Sequence, residues 1–127
     1  MPQTLPAISL VAAPGRRRLT INIARDIERR GYTGIFSPSM FGNMSLCEAL
    51  AWNTTHIPFG TAIAPIYQRT MGDFAQSAAM MHEVSGGRFR LGIGVGMGLR
   101  MCGWVSRPES RWRTFAGSWR SSAPRRV

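Results

Sequence analysis

The sequence contains no lysine: all 16 of its basic residues are arginines. A P-loop needs a lysine that reaches the phosphates, so nucleotide binding of that kind is excluded. With only 6 acidic residues, the net charge is +10. Residues 1–95 carry nine arginines and five acids, or +4, and residues 96–127 carry seven arginines and one acid, or +6. Most of the excess charge therefore lies in the last quarter of the chain.

Cysteine and histidine are also scarce. Cys47 and Cys102 give neither a disulfide framework nor a Cys-x-x-Cys motif, so a reducing cytoplasm is the expected location. His56 and His82 do not form a pair at metal-ligand spacing, so no metal site is predicted. We interpret both histidines as structural. Cys47 falls inside a predicted helix, and we interpret it as a small buried residue and not as a nucleophile.

Long apolar runs are missing as well. No stretch reaches the roughly 18 apolar residues that a membrane-spanning helix requires. The order of a signal peptide is absent, because the arginines at positions 16–18 follow the apolar segment 7–13 instead of preceding it. Nevertheless 44% of the residues are hydrophobic, which is typical of a globular chain with a core. We therefore expect a globular protein without a membrane partner.

Short apolar segments alternate with helical patterns along the first three quarters of the chain. The predicted strands cover residues 7–13, 32–37, 58–64 and 89–95. Predicted helices lie between them: one over 16–30, a second after the loop 38–43, and a third after residue 70. This β-α-β-α-β-α-β alternation predicts an α/β fold of parallel strands joined by right-handed crossovers.

Local signals predict where two of these helices begin and where one of them ends. Thr70 and Asp73 form a T-x-x-D capping signal for the third helix, and Gly86 supplies its left-handed stop. Ser45 and Glu48 form an S-x-x-E capping box for the second helix. The apolar residues of that second helix are expected to face the core: Leu46, Ala49, Leu50 and Trp52.

The fourth strand ends in a glycine-rich turn, in which every second residue from Gly92 to Gly98 is glycine. A dinucleotide fingerprint needs G-x-G-x-x-G, and no register supplies it, because Met97 and Leu99 occupy the third glycine position. Small residues in a strand favour close approach of a backbone or a bound ligand. Since α/β folds bind ligands at the carboxyl ends of parallel strands, this turn is a candidate binding element.

Residues 99–127 show neither helical nor strand periodicity. Arginine alternates there with Trp104, Trp112 and Trp119, a mixture that would allow phosphate contacts and base stacking. We interpret residues 96–127 as a basic, disordered tail after a domain over 1–95, and a nucleic-acid-binding arm is the alternative.

Three segments resemble a known family. They are ARDIERRGYTGIFSPS at 24–39, GTAIAPIYQRT at 60–70 and HEVSGGRFRLGIGVG at 82–96. In this order and spacing they are similar to the amino-terminal half of luciferase-like monooxygenases, above all to the branch that uses the deazaflavin coenzyme F420. The resemblance covers about residues 7–95. It implies a partial (β/α)8 barrel, with about four parallel strands and covering helices, in an oxidoreductase that uses F420 or FMN on a small-molecule substrate.

The resemblance also implies where the cofactor lies. In the family the third strand ends in an irregular backbone, often with a non-proline cis peptide, that supports the flavin-type ring, and the end of the fourth strand lies close to it. The second strand often ends in a polar or acidic residue and a histidine, but here it reads Ser-Pro-Ser, so the family histidine is missing. The matching positions of this chain are Ser37, Ser39, Ala62, Ile63, Ala64, Gly94 and Gly96. No catalytic residue is assigned.

Length separates two hypotheses. A whole barrel needs about 250 residues and eight strands, whereas this chain has 127 residues. The chain is therefore either an active oxidoreductase or a truncated, non-catalytic fragment, for which a shifted reading frame would explain the tail; a basic nucleic-acid-binding module is the third hypothesis. The first and fourth strands would be open edges unless the tail covers them or a homodimer forms. The sequence does not distinguish FMN from F420 as the cofactor.

Overall fold

The computed structural model of the chain describes residues 4–95. Within them four strands and three helices alternate: β1 (Ile8–Ser9), α1 (Arg17–Arg29), β2 (Ile35–Ser37), α2 (Asn43–Asn53), β3 (Phe59–Pro65), α3 (Met71–Val84) and β4 (Phe89–Gly94). The strands pair in parallel in the order β1-β2-β3-β4. This confirms the predicted α/β class and the partial (β/α)8 barrel. The predicted tail and Gly96 lie outside the described residues.

The first two strands are shorter than predicted. The amide of Ile8 donates to the carbonyl of Gly34 at 2.9 Å, and the amide of Leu10 donates to Phe36 at 3.0 Å. β2 ends at Ser37, directly before Pro38, which has no N–H with which to extend a ladder. Because β2 is the only partner of β1 in the described sheet, the pairing of β1 ends with it.

The ends of α3 agree with the sequence signals. The amide of Asp73 donates to Oγ1 of Thr70 at 3.2 Å, as the T-x-x-D signal predicts. Gly86 has a φ of +64°, in the left-handed region that costs glycine little. None of the three described helices has the length and apolar character that crossing a lipid bilayer requires.

The start of α2 differs from the prediction. The Ser45–Glu48 capping box is wrong, because the helix begins earlier, at Asn43. Gly42 occupies the N-cap position with a φ of +74°, and no side chain caps the helix. The left-handed conformation of Gly42 therefore sets the start of α2, in place of a capping side chain.

The core lies between the sheet and the three helices. Its buried apolar residues include Ala24, Ile27, Ile35, Cys47, Leu50, Phe59, Phe74, Met81 and Phe89. The expectation that Trp52 faces the core is wrong, since Trp52 is 71% exposed. Leu46 and Leu50, four residues apart, share the buried face of α2. Trp52 is two residues from Leu50 and thus lies on the opposite side of the helix.

Glu28 is buried at the amino-terminal edge of the sheet. Its Oε1 accepts the backbone amides of Thr55, His56 and Ile57 at 2.9, 2.7 and 2.9 Å, just before β3. Burial alone would raise the pKa of Glu28, but the three amides and the nearby imidazole outweigh it, so the pKa lies below its ordinary value. The carboxylate therefore ties the end of α1 to the start of β3.

Arg88 provides a second tie at the same edge, just before β4. Its guanidinium lies over the ring of Phe59, 5.2 Å from the ring centroid. It also donates five hydrogen bonds, to Ser85 O (2.8 Å), Thr54 Oγ1 (2.8 Å), Thr54 O (3.0 Å), Ile57 O (3.0 Å) and Ala51 O (3.4 Å). Arg88 thus joins the ends of α2 and α3 to the starts of β3 and β4.

Candidate functional site

The carboxyl ends of β2, β3 and β4 meet at one edge of the sheet, because the three strands are parallel neighbours. Ser37, the last residue of β2, lies opposite Thr61 of β3, and Pro65 of β3 lies opposite Gly94 of β4. The structure places these predicted cofactor-binding residues at that edge: Ser37, Ser39, Ala62, Ile63, Ala64 and Gly94. Gly96 lies outside the described residues.

β3 carries a bulge at this edge. Thr61 lies opposite Leu91 and Ala64 lies opposite Ile93, so three steps along β3 correspond to two steps along β4. One extra residue is therefore inserted at Ala62–Ile63. The irregular backbone that the resemblance implies at the end of the third strand is present. Every peptide bond within residues 4–95 is trans, so the cis peptide often found in the family is absent from this part of the chain.

Two side chains hold the bulge from either end. On its amino side, Oγ1 of Thr61 donates to the carbonyl of Gly92 at 2.8 Å and accepts the Gly92 amide at 3.0 Å. On its carboxyl side, Nδ2 of Asn43 donates to the carbonyl of Ile63 at 2.7 Å. Thr61 and Asn43 are both 3% exposed. The bulge is therefore held by hydrogen bonds of two buried residues, Thr61 to β4 and Asn43 from α2.

Gly60 of β3 and Gly92 of β4 are explained by the backbone of the neighbouring strand. A Cβ at Gly92 would lie 2.4 Å from the carbonyl oxygen of Thr61 and 2.6 Å from that of Ala62. A Cβ at Gly60 would lie 1.9 Å from the carbonyl oxygen of Arg90. Of the two explanations that the sequence offers, a crowding backbone and a bound ligand, the backbone accounts for Gly60 and Gly92.

Gly94 differs, because its nearest neighbour is a side chain. A Cβ there would lie 3.0 Å from Cγ2 of Ile63. The amide of Ile66 also donates to the carbonyl of Gly94 at 3.0 Å. Ile63 itself is 42% exposed, so its side chain covers Gly94 on one side and is open on another. Of the predicted residues, Ile63 and Gly94 thus form one surface with the neighbouring Ala62, whereas Ala64 is 0% exposed and belongs to the core.

Ser37 lies behind this surface. It is 1% exposed and alternates with Ile35 on the buried face of β2. Its Oγ has no hydrogen-bond partner among the described residues, which is uncommon for a buried hydroxyl. Ser39, two residues later, is half-buried in the loop that follows.

The loop between β2 and α2 contains a strained residue that the sequence analysis did not single out. Phe41 has a φ of +50°, a conformation that costs a bulky side chain free energy and is often found at functional sites. The amide of Met40 donates to the carbonyl of Pro38 at 2.7 Å, which makes the loop tight. Several large side chains are exposed in the loops and strand ends at this edge: Met40, Phe41, Ile63, Tyr67 and Ile93.

The titratable residues singled out in the sequence lie elsewhere. Burial, with the charge of Glu48, raises the pKa of Cys47 to about 12, so its thiol stays protonated near neutral pH. This confirms Cys47 as a buried structural residue. His56 lies at the opposite edge, with Nδ1 3.4 Å from Oε1 of Glu28, and His82 lies in the last turn of α3. Within residues 4–95 no cluster of three or more His, Cys, Asp or Glu could hold a metal ion.

The sequence model of the family described as luciferase-like monooxygenase matches residues 5–118. The chain belongs to this family. The match runs past residue 95 into the segment interpreted as a tail, and the predicted boundary there stays a prediction.

Two known proteins illustrate the relationship. The chain is 33% identical over 76 residues to 5,10-methylenetetrahydromethanopterin reductase of Methanolobus tindarius, an alignment covering 58% of this chain and 23% of that protein. A solved structure also matches: a type II Baeyer–Villiger monooxygenase, the oxygenating constituent of 3,6-diketocamphane monooxygenase from the CAM plasmid of Pseudomonas putida, in complex with FMN. Its TM-score is 0.62 at 17% identity, over 89% of this chain and 38% of that one. At this identity the likeness shows the fold alone. The chain spans less than half the length of either protein.

Proposed function

We propose that this chain is the amino-terminal part of a luciferase-like oxidoreductase that uses FMN or F420 on a small-molecule substrate. Family membership supports an oxidoreductase, and the two relatives are a reductase and a monooxygenase bound to FMN. The observation that carries the proposal is the bulge of β3, which leaves Ala62 and Ile63 exposed and places Ile63 against Gly94 at the carboxyl edge. A reducing cytoplasm, where the buried thiol of Cys47 would stay reduced, is the proposed location.

The residues at this edge fit a flat, largely apolar ring. Ala62 and Ile63 are exposed and apolar, and Gly94 has no side chain to obstruct approach. We propose that these three residues pack against one face of the ring and exclude water from it. Ser39, half-buried in the loop after β2, would provide a hydroxyl group for its polar rim, whereas Ser37 is 1% exposed behind this surface and would not reach a ring lying on it. FMN or F420, when bound, supplies the redox chemistry, and the protein supplies orientation and shielding.

A barrel site draws on loops from several strands, and only β2, β3 and β4 provide contacts in the described part of the chain. The ordering cost of binding remains when contacts are removed, so affinity falls steeply. We therefore propose that the isolated chain binds either cofactor weakly and does not turn over. The alternative is an assembly in which two copies of the chain close around one site.

Fluorescence titration of the purified chain with FMN and with F420, at several protein concentrations, tests this proposal. The expected result is weak saturable binding that Ala62→Trp abolishes, because an indole would occupy the ring surface. Micromolar binding by the monomer would overturn the fragment hypothesis. Binding that appears only with dimers, measured by light scattering on the same samples, would favour the two-copy site. Equal binding by wild type and Ala62→Trp would place the ligand elsewhere and contradict the proposed site.

A further inference from the structure

The bulge decides which residues of β3 face the open side of the sheet. Phe59 and Thr61 are buried against the helices, and after the bulge Ala64 is buried at 0% exposure. In a regular strand the residues 59, 61, 63 and 65 would share one face. Without the inserted residue, Ile63 would point to the helices and Ala64 to the open side. The exposure of Ile63 therefore depends on the bulge staying at this position.

Asn43 lies where its side chain can hold the bulge of β3 at this position. It is the first residue of α2, a region where asparagine side chains commonly cap their own helix. Yet α2 has no side-chain capping hydrogen bond. The side-chain amide of Asn43 instead donates to the carbonyl of Ile63, 20 residues later in the sequence, at 2.7 Å. Asn43 is 3% exposed. Its hydrogen bond serves the strand and not the helix.

We propose that Asn43 is a positioning residue: its hydrogen bond to the Ile63 carbonyl fixes the bulge of β3 and so sets the surface that Ala62 and Ile63 offer to the cofactor ring. The role of this surface in cofactor binding rests on the proposed function, whereas the role of Asn43 in fixing the bulge rests on the geometry alone. Thr61 performs the matching task on the amino side of the bulge, where its hydroxyl binds both backbone groups of Gly92. A bulge held at both ends turns one side chain, here that of Ile63, to the open side of the sheet.

The test compares Asn43→Ala and Asn43→Asp with wild type by NMR on the full chain. Asn43→Asp keeps the size of the side chain but replaces the donor with an oxygen that repels the carbonyl. We expect both variants to lose the NOE between the Ile63 methyl groups and Gly94 Hα, and to shift the amide signals of residues 62–64. Asn22→Asp, the same change at an exposed position of α1, should leave these signals unchanged. An intact NOE in both Asn43 variants would overturn the proposal.

Titration with FMN up to millimolar concentration gives the second readout. We expect FMN to shift the signals of residues 62–64 and Gly94 in wild type, and to bind at least about fivefold more weakly to Asn43→Asp, a difference of about 1 kcal/mol. Unchanged affinity in that variant would contradict a positioning role. If neither FMN nor F420 shifts these signals in wild type, the proposed function fails, while the NOE comparison still decides whether Asn43 holds the bulge.

A second pair of variants covers the case in which Asn43 variants do not fold. Thr61→Ser keeps the hydroxyl that binds Gly92, whereas Thr61→Val removes it with little change in shape. The proposal expects Thr61→Ser to retain the NOE between Ile63 and Gly94 and Thr61→Val to lose it. Retention of the NOE in Thr61→Val would show that the bulge does not need its amino-side hydrogen bonds, and would overturn the account of a bulge held at both ends.

Discussion

At the amino-terminal edge of the sheet, the buried carboxylate of Glu28 and the half-buried guanidinium of Arg88 are paired with backbone and hydroxyl partners. At the carboxyl-terminal edge, the buried Ser37 hydroxyl has no partner among the described residues. Phe41 there holds a strained backbone, and Ile63 is exposed on a bulge. The two edges are about one strand length apart and share the same core. The two edges therefore differ locally. At one, the polar groups have hydrogen-bond partners; at the other, a buried hydroxyl has none within residues 4–95 and apolar side chains are exposed.

This difference agrees with a division of labour known from (β/α)8 barrels. Conserved features at the amino-terminal face of such barrels serve stability, and the carboxyl-terminal face carries the site. Unsatisfied groups and strained residues lower stability where a ligand has yet to supply contacts. Substitutions at the amino-terminal edge should therefore cost stability, and those at the carboxyl-terminal edge should cost binding.

The largest effect is expected for Arg88→Ala. The variant leaves several buried carbonyl groups without a donor and removes the guanidinium from the face of Phe59. We expect a loss of about 3 kcal/mol or more, which lowers the thermal midpoint by more than about 10 °C in a domain of this size. Circular dichroism measures the midpoint. Arg88→Lys should recover only part of the loss, because an ammonium cannot reproduce the planar fork. If Arg88→Ala lowered the free energy of unfolding by less than about 1 kcal/mol, the amino-terminal edge would not be the edge that stabilises the fold.

Two isoleucines test the same contrast on the apolar side chains. Ile35 is 0% exposed in β2, and Ile63 is 42% exposed on the bulge. We expect Ile35→Ala to cost about 3 kcal/mol, since it opens a cavity in the core, and Ile63→Ala to cost less than about 1 kcal/mol. Urea denaturation of the two variants measures both. Equal losses would mean that the bulge is part of the core and not of a binding surface.

Glu28→Gln sharpens the comparison through pH. Because the folded pKa of Glu28 lies below its ordinary value of 4.5, the carboxylate stabilises the fold fully above that value. The contribution is lost as pH falls through the lower folded pKa. We expect Glu28→Gln to cost about 1–2 kcal/mol at pH 7, since charged acceptors form the stronger hydrogen bonds, and the gap to wild type to be smaller at pH 3. Denaturation curves at both pH values measure the difference. A gap that stays constant with pH would show that shape, and not charge, is what Glu28 contributes.

The sequence predicted the order of the elements because its signals are local. Helical spacing, the Thr70 cap and the Gly86 stop each act within a few residues, and the structure confirms them. The same local reasoning was wrong at Ser45, since the left-handed Gly42 starts α2 before the capping box. It was wrong at Trp52 too, because hydrophobicity alone does not say which side of a helix a residue occupies.

The ties around the sheet could not be predicted, because they join residues far apart in sequence. Glu28 meets amides 27 to 29 residues away, and Asn43 meets Ile63 from 20 residues away. Such pairs depend on strand register, and no local sequence pattern marks the bulge that sets the register after Thr61; only the family resemblance implies an irregular backbone there. Of the candidate site, the resemblance placed Ala62, Ile63 and Gly94 at one edge, whereas the two residues that hold them, Asn43 and Thr61, required the structure.

The smallest effect is expected at the start of α1, which follows β1 and so also lies at the carboxyl-terminal edge. Arg17 and Arg18 are exposed there, and the first turn of α1 contains no acidic residue. A helix amino terminus carries partial positive charge, so these arginines oppose the dipole. We expect Arg17→Glu to raise stability by roughly 0.5–1 kcal/mol in low salt, and less in 1 M salt, where charges are screened. Arg17→Gln, the neutral control, should give about half the gain. Thermal midpoints of the three proteins at both salt concentrations decide the matter. A loss of stability in Arg17→Glu would mean that the arginine has a stabilising partner, and that this edge is as well satisfied as the other.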